Sequence, residues 1–198
     1  MVHFTLFGIP VYIRPSFWVV LAIFGGALSI SSVEDLIYPA LFVIAGFVAI
    51  LSHEMGHALV GRKLGGGQQT IVLELFGGLT SSHGMQLTRG GRALMILAGP
   101  MMTLLLGIIS LWLTWNIVAP VMTSYNLNFW DLAISPFTAA LISPKLYILS
   151  CLIMIGEWWT ILNLLPIYPL DGGQLIAQYI RSPRKVFMTG FITAILIG

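Results

Sequence analysis

His53-Glu54-Met55-Gly56-His57 puts two imidazoles and a carboxylate within five consecutive residues. On an α-helix, residues four apart lie on one face, one turn apart, so His53 and His57 can hold a single metal ion through ring nitrogens. Glu54 projects beside them and need not bind the metal. It can take a proton from an attacking water and later pass it to a leaving amine. Zinc suits two imidazoles and one carboxylate, with a fourth position left for water. The run before this pattern, LIYPALFVIAGFVA, reads as lipid-facing helix. Ionisable groups inside a membrane are costly and mark function more often than chance packing.

A third ligand is needed, and the candidates are Glu74, His83, Glu157 and Asp171. Depth separates them. His57 lies five residues before Arg62, roughly 7–8 Å inside that end of the helix, and His53 is about 6 Å deeper. Glu157 stands 14 residues before Asp171, about 21 Å further toward the opposite face if helical. Asp171 sits in NLLPIYPLDGG. There Pro166 and Pro169 block a regular helix, and Gly172-Gly173 permits a sharp bend. Irregular backbone at membrane depth is tolerated only where it is buried in protein or lines a wet cavity. The segment is therefore expected to open the helix and turn Asp171 toward the metal. The plainer alternative is a helix end, with Asp171 capping the next helix, GGQLIAQYI.

The elements that must position these residues follow from composition. The chain has 198 residues, 58% of them hydrophobic and only 8% charged, against about 25% charged in soluble domains. This implies an all-α integral membrane protein of one compact domain, 1–198, and no nucleic-acid partner is expected. Four apolar segments could cross a bilayer, at about 15–31, 36–60, 94–118 and 146–165. A fifth starts near 186 and is not completed within the 198 residues, giving a bundle of about four to five spans. HFTLFGIPVYI is β-rich and expected as a short strand pair at the membrane surface. Residues 65–87 show strand-like alternation around 71–75, then paired glycines, and read as a hairpin or a loop dipping into the interface. No cleavable signal peptide is expected. Cys151 is a lone thiol in an apolar run, which excludes an internal disulfide and a multi-cysteine metal site.

Arg14, Arg62, Lys63, Arg89, Arg92, Arg181, Arg184 and Lys185 all fall on one side of the four-span arrangement. The other side holds Glu34, Asp35, Asp131 and, among basic residues, Lys145. The positive-inside rule makes the first side cytoplasmic, together with the inward end of the H-E-x-x-H helix.

H-E-x-x-H on one membrane helix, with N-x-x-P…L-D-G on a later one, resembles the site-2 protease family of intramembrane zinc metalloproteases. HEMGHALVGRKLG and NLLPIYPLDGG carry the likeness, and LFGGLTS and RALMILAGPMMTLLLG also look like the family's intervening segments. The resemblance spans about residues 1–182. It implies a three-helix catalytic core, one zinc held by His53, His57 and Asp171, and Glu54 as general base. It implies that Asn163 positions or stabilises the reacting carbonyl, and that 65–87 offers a strand edge to an unwound substrate. The substrate class it implies is a transmembrane protein, cut within or near its membrane segment in the bilayer. The setting is the plasma membrane of a prokaryote, with the active site toward the cytoplasm. Two positions depart from the pattern. Thr103 stands where asparagine is common, which bears on a helix-packing contact, and Tyr168 stands where proline is common. Neither an inserted PDZ domain nor a C-terminal cystathionine-synthase-type domain is expected within these residues.

Two other classes compete. A membrane metal transporter would need polar ligands on a route reaching both faces, and the outer half offers little beyond Glu157. A catalytically inactive relative acting as a chaperone would not need His53, Glu54, His57 and Asp171 intact.

Overall fold

The structure, a computed structural model, describes residues 1–75, 77–125 and 128–180. Strands β1 (Val2–Leu6) and β2 (Ile9–Ile13) form an antiparallel pair, followed by helix α1 (Pro15–Phe24) and the long helix α2 (Ile37–Gly65). Strand β3 (Gln68–Glu74) and strand β4 (Gly77–His83) come next, then α3 (Arg89–Tyr125), α4 (Phe129–Ile134), α5 (Pro136–Ala140), α6 (Pro144–Leu164) and α7 (Asp171–Ala177).

Among the described residues, three helical stretches are long and apolar enough to cross a membrane: Glu34–Gly65, Arg89–Ala119 and Pro144–Leu164. They correspond to α2, most of α3, and α6, which pack on one another. Their outward faces carry large apolar side chains, among them Ile44 on α2, Met101, Ile108 and Trp112 on α3, and Trp158 on α6. Such faces suit lipid, which satisfies no polar group. The chain is thus an integral membrane protein.

The first expected span is only partly helical. Helix α1 has 10 residues and rises about 15 Å, half of a hydrocarbon core about 30 Å thick. The cause is Gly25-Gly26. Gly26 adopts φ +86°, a left-handed conformation that costs glycine little, and a 3₁₀ turn at Ala27–Ser29 follows. The fifth expected segment, from Val186, lies outside the described residues, as do Arg181, Arg184 and Lys185.

The two strand regions join into one four-stranded sheet in the order β1-β2-β3-β4. β2 and β3 run parallel, with Val11 opposite Ile71 and Ile13 opposite Leu73, and β3–β4 is an antiparallel hairpin. One face is apolar. Ile9, Val11 and Ile13 alternate along β2, as Ile71 and Leu73 do along β3. They bury against Phe17 and Leu21 of α1 and against Ile50, Leu51, Met55 and Ala58 of α2. This period-2 pattern fixes register, since a slip of one residue would expose the whole set. Polar contacts tie the sheet to the end of α2: Arg62 Nη1 donates to the Phe7 carbonyl at 2.8 Å. Helix α2 stops where Gly66 and Gly67 take φ of +65° and +76°, turning the chain into β3.

Helices α3 and α6 meet through hydroxyls. Thr103 is fully buried and its Oγ1 lies 2.6 Å from Thr160 Oγ1. Gly156 of α6 presents bare backbone to the Thr103 carbonyl, 3.2 Å from where a Cβ would stand. A helix-packing contact therefore exists with threonine at this position.

Candidate metal centre

Helix α2 carries His53, Glu54 and His57 on its buried side, at 2%, 5% and 8% exposure. Asp171 reaches them from the other end of the sequence. Helix α6 stops at Leu164, two residues before Pro166, because proline neither donates a backbone hydrogen bond nor tolerates helical geometry before it. The chain then turns through Ile167 N to Leu165 O at 2.7 Å and Leu170 N to Ile167 O at 2.8 Å, and α7 begins at Asp171. Asp171 opens this helix but makes no side-chain cap bond; Leu170 is the cap residue. Gly172 and Gly173 lie inside α7, so they provide close approach instead of a bend. A Cβ on either would overlap backbone atoms of Leu164 and Leu165, or of Ile167 and Tyr168.

Three donor atoms converge. His53 Nε2 and His57 Nε2 are 3.0 Å apart. Asp171 Oδ2 is 3.0 Å from the first and 3.3 Å from the second. Despite these distances Asp171 Oδ2 has no hydrogen-bond partner. A tetrahedral zinc ion with bonds of about 2.0–2.1 Å sets its ligands roughly 3.3 Å apart. The triangle therefore has the edge lengths of one face of such a site. Charge agrees, because two buried carboxylates, Glu54 and Asp171, lie at the two imidazoles, and a divalent cation would compensate them. Among the described residues this is the one group of three or more His, Cys, Asp or Glu side chains able to share a metal ion.

The surroundings aim the rings. His57 Nδ1 donates to the Met95 carbonyl at 2.9 Å, which leaves the Nε2 lone pair facing the centre. His53 packs edge-on against His57 and against Trp159, with ring centroids 4.7 and 6.5 Å apart. Gly99 of α3 lies against both ligands, and a Cβ there would overlap His57 Nε2 and crowd His53 Nε2. Thr80 of β4 donates to Glu54.

Of the four third-ligand candidates, the structure brings Asp171 to the histidines. Glu74 pairs with Arg14 at 2.8 Å on the surface. His83 is exposed at the end of β4, and Glu157 is exposed on α6. Asn163 is buried, and its Nδ2 donates to the Trp159 carbonyl one turn earlier at 2.8 Å. Sequence reasoning missed Thr80, Gly78 and the Met95 carbonyl. It also missed Gly99, whose bare backbone packs against the ligand rings. The glycine pair followed by alternating Leu79, Thr80 and Ser81 was the available signal for the first two.

The chain is similar to several known proteins. The sequence model of peptidase family M50 matches residues 41–197. A zinc metalloprotease of Methanocaldococcus jannaschii is 29% identical over 196 residues, covering 98% of this chain and 49% of that protein. A relative from Synechocystis sp. is 28% identical over 206 residues, covering 98% of this chain and 48% of its own. The chain thus spans about half the length of the curated relatives it matches. The solved site-2 protease from M. jannaschii superposes with a TM-score of 0.58 at 25% identity, over 88% of this chain and 69% of that one.

Proposed function

The chain belongs to peptidase family M50, and we propose that it is an intramembrane zinc metalloprotease, hydrolysing peptide bonds within or near transmembrane segments of membrane-anchored proteins. The observation that carries this reading is the donor triangle of His53, His57 and Asp171, with edges of 3.0, 3.0 and 3.3 Å, next to Glu54 on a helix of membrane length.

In this reading His53 and His57 present Nε2, and Asp171 presents Oδ2, to one zinc ion per chain. Zinc, when bound, lowers the pKa of water toward neutrality and polarises a carbonyl. Glu54 is the general base. Its carboxylate accepts the proton of the attacking water and returns it to the leaving amine. Asn163 spends one amide hydrogen on the Trp159 carbonyl and keeps a second, which is proposed to steady the reacting carbonyl. A helical substrate hides its amides in its own hydrogen bonds, so it must unwind to be cut. The sheet order puts β4 at an edge, and pairing there would satisfy the freed groups.

Orientation follows from charge. Arg14, Arg62, Lys63, Arg89 and Arg92 gather at the sheet end of the bundle, which is proposed to face the cytoplasm of a prokaryotic cell. Water would reach Glu54 from that side.

The test is cleavage of a tagged transmembrane polypeptide by purified protein in detergent or liposomes, with and without a zinc chelator. Cleavage that stops on chelation and returns with zinc is expected. Zinc-loaded protein that leaves several such polypeptides intact would contradict the reading.

A further inference from the structure

Glu54 is fastened from a second element. Thr80 Oγ1 on β4 donates to Glu54 Oε2 at 2.7 Å and stands 3.2 Å from the Glu54 backbone oxygen. A hydroxyl has one proton to give, and the carboxylate is both the nearer and the stronger acceptor. Two residues earlier, Gly78 turns bare backbone toward the same side chain, where a Cβ would overlap Glu54 Cγ, Cδ and Oε1. Residues two apart on a strand share a face. Gly78 and Thr80 therefore form one wall around the carboxylate, the first making room and the second holding one oxygen. Among the described residues, no other side chain hydrogen-bonds to Glu54.

We propose that Thr80 is a positioning residue for the reaction, engaging Oε2 so that Oε1 is left to accept the proton. The inference rests on the proteolytic reading above and deepens it. The terminal torsion of a glutamate is broad, so without the hydroxyl the carboxylate samples orientations in which neither oxygen meets the water. Misplacing a catalytic group by about an ångström can cost on the order of a hundredfold. That loss falls on the chemical step, because the Thr80 hydroxyl bonds to Glu54 and to none of the three converging donor atoms, and a valine there leaves the backbone of β4 as it is.

The experiment uses the full chain as Thr80→Val, Thr80→Ser and Gly78→Ala, and Thr80→Val combined with Glu54→Gln. Zinc per chain, melting of the zinc-free protein, kcat and KM on a tagged transmembrane polypeptide are measured. Thr80→Val is expected to keep its zinc and KM while kcat falls roughly ten- to hundredfold. Thr80→Ser restores most of the rate. Thr80→Val adds no further loss once Glu54 is glutamine, the non-additivity of two groups acting as a unit. Gly78→Ala pushes the carboxylate aside and lowers kcat with zinc retained, which covers the case in which the valine variant does not fold. Wild-type kcat in Thr80→Val or Gly78→Ala, equal slowing in both Glu54 backgrounds, serine no better than valine, or loss of zinc would each overturn the proposal. If the unmodified protein holds zinc but cuts nothing, the proteolytic reading fails and the proposal with it. If it cuts and Thr80→Val cuts as fast, only the role of Thr80 fails.

Discussion

At the scale of single residues, the centre depends on Asp171 arriving from 114 positions beyond His57. Its Oδ2 supplies one corner of the donor triangle, and neither Glu74, tied to Arg14 on the surface, nor Glu157, exposed on α6, is placed to substitute for it. Asp171→Ala should therefore leave the bundle folded but lower zinc well below one per chain, read by elemental analysis of purified protein. Wild-type zinc in that variant would remove Asp171 from the centre. Both histidines and Glu54 were legible in the sequence, because helical spacing alone puts them together. Asp171 was legible through the two prolines that forbid a helix before it. Thr80 was not, because its contact with Glu54 joins residues 26 apart and exists only once β3–β4 has folded against α2. No local pattern encodes that docking.

Between elements, glycines set how closely backbones and rings approach. Gly99 and Gly107 both lie on α3, and in a helix alanine is favoured over glycine by about 1 kcal/mol. Their surroundings differ. A Cβ at Gly107 meets nothing within 4 Å, whereas one at Gly99 strikes the ligand imidazole of His57. Gly107→Ala should thus be neutral or stabilising in thermal unfolding. Gly99→Ala should displace His57 and His53 and lose zinc, with an overpacking cost of about 1–3 kcal/mol. Equal behaviour of the two variants would mean that α3 does not shape the centre. The same scale explains why α1 was overestimated. Hydropathy runs on through 15–31, but it takes no account of Gly26, whose left-handed backbone ends the helix whatever the apolar content beyond it. The strands were visible as alternation. Their union into one sheet was not, because β2 and β3 pair in parallel across all of α1 and α2, a long-range pairing with no signature in either strand.

For the whole molecule, three membrane-length helices pack together, α2 supplies the two histidines and α7 the aspartate, and the sheet packs on the part of α2 that carries the histidines. The charge asymmetry supports the proposal that the Arg62 end of α2 faces the cytoplasm, with the 3₁₀ turn at Glu34–Leu36 at the other end of that helix. Single cysteines at two exposed positions, Ser31→Cys and Gln68→Cys in a Cys151→Ser background, distinguish the orientations. In sealed, right-side-out cells an impermeant thiol reagent should label position 31 and leave position 68 unlabelled until the membrane is opened. The reverse pattern would invert the protein in the bilayer. The fold class was legible from composition, since 8% charged residues cannot clothe a soluble domain of this size. The number of full spans was not, because it turns on backbone breaks at particular glycines.

The mechanism stands most directly on Glu54 acting as a base and not as a ligand. Glu54→Gln keeps nearly the same shape, and its side chain still reaches Thr80, but it cannot accept a proton from water. General acid–base catalysis contributes about 10²–10⁴-fold, roughly 3–5 kcal/mol of barrier. Zinc content and the single-turnover cleavage rate of a tagged transmembrane polypeptide, measured on the same preparation, should show full zinc and a rate at least about a hundredfold below wild type. Cleavage at the wild-type rate with zinc in place would contradict the mechanism.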